Sequence, residues 1–81
     1  MIFDRIDDVD GSGNRRVRYL LSGTTFEIRA TKVGVSFTGT SPEYSDYTYM
    51  NQAIQWQQYN HQKLKETGRP VPQEVLQRGE I

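Results

Sequence analysis

Along "RRVRYLL" the side chains of Val17, Tyr19 and Leu21 alternate with Arg16, Arg18 and Leu20, which is the two-residue period of a strand with one buried face. The triplet "SGT" then turns the chain. In "TFEIRAT" Phe26, Ile28 and Ala30 fall on one side while Glu27, Arg29 and Thr31 fall on the other, and beyond "KVG" the segment "VSFTG" continues the alternation with Val35 and Phe37 inward. These segments predict an antiparallel meander with one apolar and one polar face. The opening "MIFDRIDDV" follows neither period cleanly, because Ile2, Phe3, Ile6 and Val9 suit no strict alternation and no full helical stripe. We assign it as an edge strand, giving three or four strands in all.

The pattern changes after residue 40. In "SPEYSD", either Pro42 occupies a first helical position behind a cap, or Ser45 caps with Asp46 beside the positive end of the helix dipole. No Gly or Pro interrupts the chain from there to Gly68, where a left-handed residue ends a helix readily, with Pro70 behind it. "RPVPQEVLQRGEI" reads as a Pro-rich connector with one helical turn around residues 74–77. The expected architecture is a single α+β domain, a meander (residues 1–40) carrying one long helix (42–67) on its apolar face, followed by a tail (69–81). At 100° per residue Tyr47, Met50, Ala53, Ile54 and Leu64 form the stripe that covers the sheet. Gln57 and His61 fall in the middle of that stripe, where unpartnered amides and imidazoles are disfavoured. A helix of this length spans ~33 Å and a seven-residue strand only ~23 Å. The expectation is therefore that the helix overruns the sheet and that "QWQQYNHQ" leaves the core to face water or a partner.

Composition narrows the classes. Hydrophobic residues make up 35% and mean hydropathy is −0.76, yet the apolar positions are patterned, which implies a small folded domain with a thin core. Ten basic and ten acidic side chains cancel, so no global field draws the protein to nucleic acid, membrane or acidic substrates. The absence of cysteine excludes disulfides, thiolate chemistry and cysteine-based zinc sites. No basic segment followed by an apolar run opens the chain, and no apolar run approaches the ~18 residues of a membrane span. The expected location is cytoplasmic.

Candidate chemistry is sparse. In "DVDGSG" Asp8, Asp10, Ser12 and Gly13 match the first, third, fifth and sixth places of the EF-hand calcium loop, which they resemble. Arg15 and Tyr19 then stand where an apolar residue and the bidentate Glu belong. A Gly-rich hairpin turn explains the segment better, and no metal or cofactor is expected. His61 is the only histidine, and nothing forms a nucleophile, base and orienter trio, so no enzyme is expected. The positive signal is the aromatic and amide surface of the helix. Tyr49, Trp56, Gln57, Tyr59 and His61 are assigned to a partner-binding patch, because Tyr and Trp anchor interfaces while amides complete hydrogen bonds; the alternative is that Trp56 and Tyr49 reach over the sheet edge, or take Val75 and Leu76 of the tail, as satellites of the thin core. Asp7 to Asp10 would form its rim. The expected function is a small non-enzymatic binding protein, an inhibitor or adaptor that docks on a protein or nucleoprotein, with self-association through the same helix as a further use. In size, neutrality and simple architecture the chain resembles phage-encoded inhibitors of host defence. The alternative is a nucleic-acid-binding accessory module using Arg15, Arg16, Arg18 and Arg29 on the open sheet face. That strand, strand, strand, helix layout is similar to the DNA-binding arm domains of phage integrases.

Overall fold

The computed structural model describes residues 3–41 and 47–79. Four strands, β1 (Phe3–Val9), β2 (Arg15–Leu21), β3 (Glu27–Ala30) and β4 (Val35–Thr38), precede a long helix α1 (Tyr47–Thr67) and a short one, α2 (Gln73–Arg78). The strands form one antiparallel sheet in the order β1-β2-β3-β4, so the meander and the α+β layering are as the hydrophobic pattern predicts. Both candidate N-terminal caps of the long helix involve residues 42–46 and lie outside the described residues. Its C-terminal end matches expectation: Gly68 has φ 74° and its N–H donates to the Leu64 carbonyl at 3.0 Å.

Register assigns each side chain a face. Phe3 stands opposite Leu21, Arg5 opposite Tyr19, Asp7 opposite Val17 and Val9 opposite Arg15, so on the helix-covered face of β1 two charged residues interrupt the apolar Phe3 and Val9. This is why β1 lacks a clean alternation. The core lies between β2, β3 and α1, where Val17, Tyr19, Leu21, Phe26, Ile28, Ala30, Ala53 and Leu64 are buried. Ala53 packs against Leu21, Phe26 and Ile28, with Met50 and Ile54 beside it. Leu64 closes on Val17 and Tyr19. Burying a side chain the size of Ile or Leu stabilises by about 1.5–3 kcal/mol.

The expected overrun of the helix does not occur. α1 lies over the sheet from Ala53 to Leu64, and Gln57 and Asn60 are wholly buried. Two features extend the platform beyond the strands. One is the β3–β4 turn, where the Thr31 carbonyl meets His61 Nδ1 at 2.9 Å. The other is the tail, which turns back at Gly68 and packs Val71 and Leu76 into the core. Among the described residues no helix is long and apolar enough to cross a membrane.

Candidate functional site: the solvent face of α1 and the aromatic cleft beside it

Gln57 lies in the core and not on the surface. Its Nε2 donates to the Val17 carbonyl at 2.9 Å and the Ile28 carbonyl at 2.7 Å, reaching two adjacent strands at once. Its Oε1 accepts from Asn60 Nδ2 at 3.0 Å, and Asn60 Oδ1 accepts the Val71 N–H at 2.9 Å. Sheet, helix and tail are thus tied by one buried amide relay. Gln57 is therefore a core residue and is removed from the docking patch. His61 is half-buried and held on the Thr31 carbonyl, which places it on the margin of the core rather than at the centre of a surface.

Three residues of the expected patch keep access to solvent. Tyr49 is 52% and Tyr59 41% exposed, and Trp56 is half-buried. The Trp56 ring rests on Tyr19 at 5.9 Å between centroids, while Phe3 meets the same tyrosine edge-on at 6.3 Å. Tyr19 is thus the floor of a cleft of about 350 Å³ between β1, α1 and α2, walled by Phe3, Tyr49 and Trp56 with Gln52, Gln73 and Gln77 at its margins. Gln73 Oε1 accepts from the Tyr19 hydroxyl and from Arg5 Nη1 at 3.3 Å, while Arg5 also grips Asp7 at 2.8 Å and 3.1 Å. Burial pushes the Tyr19 phenol above its ordinary value, against the pull of Arg5. The neutral hydroxyl is thereby favoured in the fold.

Beyond the cleft, the solvent side of α1 presents Asn51, Gln52, Gln55, Gln58, Tyr59 and Gln62, all exposed. The run from Tyr47 to Gln62 contains no Asp, Glu, Lys or Arg, whereas the exposed side of a soluble helix normally carries charge. This charge gap is legible in the sequence, and it marks Gln52, Gln55, Gln58 and Gln62, which reasoning from aromatic residues alone passes over.

The alternative site is assembled only in part. Arg16, Arg18 and Arg29 do share the uncovered sheet face, but Arg15 stands opposite Val9 with the parity of Val17, on the other face. Arg16 binds Asp8 at 2.8 Å and 3.0 Å, and Arg18 bridges Asp8 at 3.0 Å and Glu27 at 3.1 Å. Hydrogen bonding from Arg16 in turn holds the Asp8 carboxyl below its ordinary range. Arg16 and Arg18 are thus already neutralised within the chain, which weakens the phosphate attraction that nucleic-acid binding requires. In the β1–β2 turn the Asp10 carboxylate accepts from the Ser12 and Asn14 N–H groups, each at 2.9 Å, and Gly13 has φ 82°. Asp10 is engaged in shaping the hairpin, and Asp8 is engaged by arginines on the outer face.

No family model, curated protein or solved structure matches the chain.

Proposed function

We propose that the protein is a non-enzymatic docking module that binds a macromolecular partner through the solvent face of α1 and the adjoining cleft. The observation that carries this reading is the uncharged, Tyr- and Gln-bearing exposed surface running from Tyr49 to Gln62. Interface centres are depleted in charge and enriched in Tyr and Trp, because burying a charge is costly while a tyrosine gives up large area with little side-chain entropy. Amides at Gln52, Gln55, Gln58 and Gln62 can each donate and accept, so they complete a polar backbone or side-chain surface without leaving a buried ion. The mechanism is occlusion of the partner or stabilisation of one of its states, as in an inhibitor or adaptor.

Tyr59→Ala and the paired exchange Gln55→Glu with Gln58→Lys test this at constant folding. All three positions are exposed, and such surface substitutions ordinarily change stability by within about 0.5 kcal/mol. Each variant is expected to keep wild-type unfolding curves while weakening capture of the cellular partner about tenfold or more. Equal capture by wild type and both variants would remove α1 as the docking face.

A further inference from the structure

The two outer strands of the sheet treat their free edges differently. Thr31 donates its N–H to the Gly34 carbonyl at 3.0 Å, and Arg29 lies opposite Ser36 and Glu27 opposite Thr38. In an antiparallel ladder the backbone groups of successive residues point to alternate sides. Gly34, Ser36 and Thr38 therefore direct theirs to β3, and the N–H and C=O groups of Val35 and Phe37 point away from the sheet. By the same parity, starting from the Asp10 N–H to Asn14 carbonyl bond at 2.9 Å, the free edge of β1 belongs to Phe3, Arg5, Asp7 and Val9. That edge is guarded by charge on both faces, Arg5 and Asp7 pointing inward and Asp4 and Asp8 on the outer face, the kind of residues that block strand addition. Among the described residues the β4 edge has no such guard. From Val33 to Ser41 there is no charged residue, and Val33 and Phe37 are 79% and 50% exposed.

We propose that β4 pairs antiparallel with β4 of a second copy, about a two-fold axis perpendicular to the sheet and passing through Ser36. In this register Val35 faces Phe37 of the second copy, and Phe37 faces its Val35. These are the hydrogen-bonded positions, so every outward backbone group of both residues gains a partner, and each exposed Phe37 gains a β-branched neighbour on the helix-covered face. A register centred on Phe37 would set Val35 against Gly39, where the chain has already turned back. There the Thr40 N–H bonds Thr25 Oγ1 at 3.2 Å, and any side chain at position 39 would strike the Thr25 carbonyl. Centring on Val35 would set Phe37 against Val33, beyond the strand.

Identical copies suit this edge. Neither brings charge to it, and the small Ser36 lies on the axis. α1 runs chiefly over β3, so three strand spacings separate the two helix axes, about 14 Å. That exceeds the 8–10 Å of helices in contact, and the helices do not collide. The axis leaves both α1 helices on the same side, so the dimer presents two docking faces in one direction. The pairing itself does not rest on the docking role of α1.

Ser36→Cys tests the register, because the chain has no other cysteine. Opposed residues at a non-hydrogen-bonded position are about 4.5 Å apart at Cα, within disulfide range. Under mild oxidation Ser36→Cys is expected to convert to a covalent dimer at least tenfold faster than Val33→Cys or Thr40→Cys. Wild type should show concentration-dependent dimers by sedimentation, and Phe37→Pro should abolish them, since it deletes an outward donor and leaves the β3 ladder intact. Crosslinking no faster at 36 than at 33, or a wild type that is monomeric at about 1 mM, would overturn the proposal. If Phe37→Pro does not fold, the cysteine comparison decides alone.

Discussion

At the scale of single residues, the fold turns on two amides. Gln57 and Asn60 occupy positions that the helical stripe reserves for apolar side chains, and both are wholly buried. Burial of an amide is tolerable when its hydrogen bonds are made, and the relay from Val17 and Ile28 through Gln57 and Asn60 to Val71 makes them. Removing Gln57 strands the Asn60 donor and leaves a void. Gln57→Ala is expected to destabilise the domain by about 2–4 kcal/mol in urea unfolding, a large share of what a chain of this size has. Asn60→Ala should cost a similar amount by freeing the Val71 N–H. The double variant should fall short of the sum by about 0.5–3 kcal/mol, because both substitutions break the same Gln57–Asn60 bond. The sequence shows that Gln57 lies on the core stripe, and from there two outcomes are open: a hidden partner or a departure from the core. It cannot show the partner, because backbone carbonyls of Val17 and Ile28 are present at every strand position alike and only register brings two of them beneath one amide.

At the scale of elements, α2 does more than a short tail helix suggests. Gln73 caps the cleft over Tyr19 and Arg5, and Leu76 is buried beside the space lined by Trp56 and Tyr59. Leu76→Ala is expected to cost about 2–4 kcal/mol and to shift Trp56 fluorescence to the red, as water reaches the indole from the α2 side. An unchanged emission would mean that Trp56 is shielded by Tyr19 alone. The existence of α2 was legible from "PQEVLQRG", as were β2, β3 and β4 from their alternation. The docking of α2 was legible only as an alternative, with Val75 and Leu76 set against Trp56 and Tyr49, since a tail helix with one buried leucine carries no address. Hence the mistaken overrun of α1: the second half of the helix is covered by β2, by the β3–β4 turn and by residues 69–78, and hydrophobic periodicity treats the last of these as a linker. Tyr49 and Tyr59 could still be placed correctly as exposed, because they flank the stripe rather than occupy it.

At the scale of the whole molecule, the sheet has two edges and only one is guarded, which makes the assembly finite. Pairing through β4 closes one edge of each copy, and the outward edges of the dimer are then both β1, where Arg5 and Asp7 point inward on an edge lined with charge. Growth stops because a further strand would have to desolvate those groups. It follows that the guard and the pairing edge can be separated by mutation. Replacing Arg5 with Thr and Asp7 with Val removes the charges from the helix-covered side of the β1 edge, leaving Asp4 and Asp8 on the outer face, and this variant is expected to scatter light increasingly with concentration as β1–β1 and β4–β4 contacts alternate along an open chain. Arg5→Lys with Asp7→Glu keeps the charges and should behave as wild type. Adding Phe37→Pro to the unguarded variant leaves it one pairing edge, so its assembly should end at a dimer joined through β1. Unlimited growth in that triple variant would mean that the contacts are not edge to edge, whereas a return to discrete dimers would identify β4 as the second contact in the growing chain.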